Sequence, residues 1–144
     1  WKHMGFKLTV DGPDKIDLGI EHLLSVQFEM DTPNDSNARS TDVGTTLVIR
    51  GKILTAIGGE AADSTLSIAK WSVVPAEAAD SYRNLVVTVI SAEQVVRQIN
   101  FPNAFVVDYQ EDFGNTEGIG EFTLRVKQKK DKISNVKLEG GYGM

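Results

Sequence analysis

Two stretches of this chain put an apolar side chain at every second position and polar ones between. In residues 105–113 the odd positions carry Phe105, Val107, Tyr109, Glu111 and Phe113, and Asp108, Gln110 and Asp112 alternate with them. In residues 121–127, Phe122, Leu124 and Val126 alternate with Glu121, Thr123, Arg125 and Lys127. A period of two with one apolar face is the pattern of a half-buried strand. Glu111 alone places a carboxylate on the apolar face, and a buried carboxylate requires a partner, expected to be a Lys or Arg on a neighbouring strand. Leu24, Val26, Phe28 and Met30 form a further alternating set, as do Leu47, Ile49 and Ile53. Shorter strands are expected at Phe6 to Val10, Leu85 to Ile90, Val95 to Phe101 and near Ile133 to Leu138. One segment departs from this rhythm. Asp63-Ser64-Thr65 offers helix caps, Leu66, Ala69, Lys70 and Val73 follow at helical spacing beside Ile68 and Trp71, and Pro75 ends the helix near Val73. These elements predict a mainly β chain: an antiparallel β-barrel of two packed sheets with one short α-helix, closure removing exposed edges.

With 144 residues and no cysteine, the chain is long enough to bury a core without disulfides. Thiolate metal sites, iron–sulfur clusters and thiol nucleophiles are excluded together. Trp1-Lys2-His3-Met4 reads as an expression-tag remnant, leaving residues 5–144 as one domain. The longest strongly apolar stretch, Leu85 to Ile90, is far short of the about 20 residues of a membrane-spanning helix. No signal peptide is visible, so synthesis in the cytoplasm is expected, with any export by a route other than general secretion. The net charge of −5 argues against nucleic acid as the main partner. It is unevenly spread: from Arg125 onward six basic residues face two acidic ones, a sum of +4 that leaves −9 on the remainder.

The residues that could carry chemistry do not assemble into a site. Asp108 and Asp112 share a strand face and read as solvated; a hydrolase using either would need a paired carboxylate in a cleft. His22, the only histidine outside the tag, has neither a Cys nor a second His to form a metal site, and no Gly-x-Ser-x-Gly turn accompanies it. Gly118-Ile119-Gly120 precedes a strand, whereas a dinucleotide fingerprint opens a helix. Asn34-Asp35-Ser36 matches a glycosylation pattern but has no secretion signal beside it. Lys127, Lys129, Lys130 and Lys132 lack the interleaved aromatics of a single-strand nucleic-acid surface. No catalytic, cofactor-binding or metal-ligating residue is assigned, and no cofactor is expected.

The order of local patterns is more informative. Phe101-Pro102-Asn103-Ala104-Phe105 and the run through Tyr109, Glu111 and Phe113 to Gly114-Asn115 resemble a segment of Hcp, the tube protein of type VI secretion, with Asn103, Phe105, Tyr109, Glu111 and Phe113 as the structural motif. Ser25-Val26-Gln27-Phe28, a polar loop with Arg39-Ser40, and Gly44 to Ile49 resemble that family's first strands and their long loop. The helix near Leu66 to Trp71 falls where the family has its single helix. The stretch Pro75 to Tyr82 and the lysines around Lys129 depart from the pattern, as a relative from a phage-tail-like particle would. The resemblance implies a tail-tube protein and not an enzyme. Its copies would form six-membered rings that stack into a tube, with self, sheath, spike or baseplate and cargo proteins as partners. The polar loop from Thr32 to Val43, with Asn34, Arg39, Ser40 and Asp42, and the basic residues Lys127, Lys129 and Lys130 are the expected ring and stacking contacts. The alternative is a monomeric β-sandwich binding carbohydrate or protein, for which Tyr82, Tyr142 and Trp71 are the aromatic candidates.

Overall fold

The computed structural model describes residues 4–13, 15–31, 44–53, 65–75, 78–114, 120–128 and 137–143. In chain order the strands are β1 (Met4–Asp11), β2 (Ile16–Leu18), β3 (Leu23–Asp31), β4 (Gly44–Ile53), β5 (Arg83–Ser91), β6 (Gln94–Phe113), β7 (Gly120–Gln128), β8 (Lys137–Glu139) and β9 (Tyr142–Gly143). Between β4 and β5 lie the helix α1 (Leu66–Ser72) and a 3₁₀ turn at Ala79–Ser81. The alternating sets became strands as their period requires. The chain is mainly β and wholly antiparallel in its described pairings.

Closure is where the expectation fails. The strands form one sheet in the order β2-β1-β5-β6-β7-β4-β3, with β8 and β9 also on β6, and β2 and β3 end the path without pairing with each other. β1 and β3 approach within 8 Å between Cα atoms, but no ladder joins them. The strand that would have to meet β3 is β2, only three residues long, and what brings the layers together is β6, twenty residues long where two strands were expected. Its first half pairs with β5 and its second half with β7, so it passes from one layer to the other. The sheet therefore folds over on itself. Leu8, Val10, Leu85, Val87, Ile99 and Phe101 of one layer share a core with Leu23, Leu47, Ile49, Phe122, Leu124 and Val126 of the other.

The change of partner is written into Pro102 and Asn103. Proline lacks the N–H a central ladder needs, and its carbonyl instead accepts a hydrogen bond from Gln128 Nε2 at 2.9 Å. Asn103 takes φ = 58°, a left-handed value that asparagine tolerates better than most residues. Its N–H donates to Asn84 Oδ1 at 3.2 Å. Ala104 then pairs with both Arg83 of β5 and Gln128 of β7.

The helix is shorter by a residue than expected and buries a different face. Ile68 and Trp71 are buried, while Leu66 and Val73 are exposed, Val73 by 78%. Thr65 occupies the cap position without a side-chain capping bond. What fixes α1 is Trp71: its Nε1 donates to Ser81 O at 2.9 Å, and the Arg83 guanidinium lies 5.3 Å from the ring centroid. Arg83, itself buried, donates through Nε to Asp80 O at 2.8 Å. The helix and the 3₁₀ turn are thereby tied to the start of β5.

Candidate assembly surface

A residue in a sheet has one ladder partner on each side. Because Ala104 pairs with Arg83 and with Gln128, β5 and β7 lie on opposite sides of β6. β5 begins at Arg83, so from Phe105 to Phe113 the β5 side of β6 has no partner strand among the described residues. On the other side β7, β4 and β3 follow in turn, and β3 also has an unpartnered side among the described residues. The second half of β6 with β7, β4 and β3 thus forms a four-stranded antiparallel layer whose two edges are open among the described residues. Four is an even number, so β3 runs antiparallel to β6. An identical layer placed beside it in the same orientation would meet it as one more antiparallel pair.

The outer face of this layer is polar in rows. Asp108, Arg125, Val48 and Gln27 lie across the four strands in one row, and Gln110, Thr123, Arg50 and Ser25 in the next. Arg50 meets Glu121 at 3.1 Å, and Arg125 lies 3.9 Å from Glu29. At the margins four apolar side chains are left uncovered: Phe113, 68% exposed with its ring over Gly120, and Val107 on β6, and Met30 and Leu24 on β3.

The motif residues are distributed along β6. Asn103 sits at the bend. Phe105 meets Tyr82 edge to face at 5.7 Å and, with Trp71, Val74 and Val106, lines a cavity of about 60 Å³ beneath α1. Tyr109 stacks on Phe122 at 6.3 Å and donates its hydroxyl hydrogen to Glu111 Oε1 at 2.7 Å. Glu111 is exposed, not buried against a cation: the first layer does not extend over the end of β6, so its face there meets solvent. Val107 is likewise exposed, at a bulge between Val106 and Asp108 that interrupts the expected alternation. Lys127 is on β7 opposite Phe105 and Thr46. Asn34, Arg39, Ser40, Asp42, Lys129 and Lys130 lie outside the described residues.

The other candidates disperse. Asp108 and Asp112 are exposed on an open sheet, Asp112 opposite Glu121. His22 is 16% exposed with Nδ1 3.5 Å from Glu21, and its carbonyl accepts the Lys52 N–H, which joins the β2–β3 turn to β4. Among the described residues no three His, Asp or Glu side chains converge as a metal site, and no helix is long and apolar enough to cross a membrane. Of the aromatics considered for carbohydrate binding, Trp71 is buried and Tyr82 packs on Phe105, while the Tyr142 side chain lies outside the description. The open edges were not foreseen from sequence. The signal was Pro102 within an otherwise continuous strand pattern, marking where β6 exchanges one neighbour for another.

This arrangement is an Hcp-like tube fold. The chain is similar to Hcp1 from Flavobacterium johnsoniae, with 19% identity, a TM-score of 0.56 and 96% of each chain covered. It is also similar to a chain of the anti-feeding prophage baseplate, six-fold symmetrised (14% identity, TM-score 0.54, 94% and 93% covered), and to a type six secretion system protein (14%, 0.52, 95% and 83%). No protein-family model and no curated protein matches the sequence.

Proposed function

We propose that this chain is a structural tube subunit, without enzymatic activity, whose copies join head to tail into rings. The observation that carries the reading is the pair of open, mutually antiparallel edges on one four-stranded layer. Such edges on opposite sides of one subunit make a heterologous contact, which gives a ring when the rotation closes. Unpaired strand edges are templates for another chain, and the fold is one that Hcp and anti-feeding prophage proteins share. Six copies per ring is the number proposed, with rings stacked into a tube within a contractile injection, type VI secretion or phage-tail-like apparatus. Stacking contacts are assigned to Asn34, Arg39, Ser40, Asp42, Lys127, Lys129 and Lys130; sheath, baseplate and cargo proteins are the further partners. The solution mass of the purified chain, with negative-stain images, tests this. Annular particles near six times the 15.7 kDa chain mass are expected. A monomer at every concentration and salt tried contradicts it. Deleting residues 33–42 should leave rings intact and abolish tubes; tubes of normal length from that variant would remove the stacking assignment.

A further inference from the structure

The cavity beneath α1 lies at the start of one open edge. It is walled by α1 and the segment before β5 on one side and by Phe105 and Val106 on the other. Those two are the first residues of β6 beyond Ala104, the last to pair with β5, so the cavity sits where the β6 edge loses its neighbour. It is only partly enclosed and measures about 60 Å³. An apolar cavity that admits benzene has about 150 Å³, so this one takes a slender chain end and no aromatic ring. At the other edge of the layer Met30 is 50% exposed. It alternates on β3 with Val26 and Phe28, both packed against the core, and Phe28 shares a row with Val106 through Leu47 and Val126. Met30 is therefore on the same side of the layer as Val106 and as the core in which Trp71 is buried.

We infer that this cavity is a socket for Met30 of the adjoining copy. The inference rests on the edge-to-edge ring proposed above. If the rows of the layer continue level into the next copy, its Gln27 falls beside Asp108 and its Glu29 beside Phe105. Met30 then arrives opposite Ala104. One row along, with Gln27 beside Gln110, Met30 arrives opposite Val106, because the bulge at Val107 takes up a residue. Ala104 and Val106 flank Phe105, so in either register the methionine comes to the wall of the cavity. In the level register Arg83 already pairs with Ala104, so the new ladder ends at Phe105 and Met30 stands against the residues that precede β5. Methionine suits the space: it is unbranched, fills irregular gaps and places a polarisable sulfur against aromatic edges, here those of Trp71, Tyr82 and Phe105. Its neighbours on β3 do not, since Phe28 carries a ring and Glu29 and Asp31 carry charge.

The experiment is sedimentation velocity on the full chain, as a double-mutant cycle between Met30→Ala and Ser72→Leu. Ser72 is half-buried in the cavity wall, so leucine there fills the space from the side of α1. Val74→Phe, from the same wall, takes its place if Ser72→Leu does not fold. Each single variant should raise the concentration needed for half-assembly about fivefold or more. The double variant should be little worse than either single one, because a filled socket leaves Met30 nothing to lose. Met30→Leu, which restores a slender apolar end, should recover most of the wild-type behaviour. Assembly of Met30→Ala at wild-type concentrations, or single effects that multiply in the double variant, overturns the socket while leaving the ring reading intact. Absence of wild-type assembly at every concentration tried overturns both.

Discussion

At the residue scale the account turns on a few close approaches. Gly51 is where β4 passes beneath the turn at His22: a Cβ there would lie 2.5 Å from the Phe122 ring and 2.6 Å from the His22 carbonyl oxygen. Backbone cannot yield as a flexible side chain can, so Gly51→Ala should cost about 1–3 kcal/mol in denaturant unfolding. An unchanged midpoint would show that the turn has room to shift. Phe122, fully buried and stacked on Tyr109, belongs to both the core and the candidate layer. Phe122→Ala should lose about 3–5 kcal/mol by the same measurement. Trp71 is different in kind because its buried N–H is satisfied by Ser81 O. Trp71→Phe keeps most of the apolar area but leaves that carbonyl without its indole donor and weakens the contact with Arg83. About 1–3 kcal/mol of stability should go with it, together with loosening of α1 visible as faster amide exchange across Leu66–Ser72.

At the scale of elements, period-two patterns were sufficient to find most of the strands and the sides they bury. Phe122, Leu124 and Val126 face the core as their spacing requires, as do Leu47, Ile49 and Ile53. The helix was legible from the break in alternation ahead of Pro75, although Thr65 makes no side-chain capping bond and Asp63 and Ser64 lie outside the described residues. Its buried face was not legible, because Leu66 and Val73 are as apolar as Ile68 and only the docking of Trp71 decides between them. β2 is three residues long and β9 two, too short for any periodicity to register. The candidate edges were illegible for a related reason. Alternation reports which face of a strand is buried and says nothing about how many neighbours its backbone has. The β5–β6 hairpin carries a local conflict of its own: Ala92 and Glu93 turn with φ of 54° and 62°, values suited to Asn-Gly. Ala92→Asn/Glu93→Gly should therefore raise stability by about 1–2 kcal/mol. A loss would mean that the tip makes contacts that offset its strain.

At the scale of the whole molecule, two opposed edges without partner strands among the described residues set this fold apart from a closed barrel, and in the proposed ring each copy supplies the strand that the next one lacks. Within one chain the β6 and β3 edges are three strand spacings apart, about 14 Å, too far for a disulfide, which needs Cα atoms within about 7 Å. Between joined copies the same edges are adjacent. The chain contains no cysteine, so thiols introduced at Gln110 and at either Ser25 or Gln27 report on that joint alone. Oxidised under assembling conditions and run on a denaturing, non-reducing gel, either double variant should give a ladder of covalent multimers ending at the ring, and each single variant no more than a dimer. Double variants that remain monomeric while rings are present in solution would contradict the edge-to-edge joint on which the account depends.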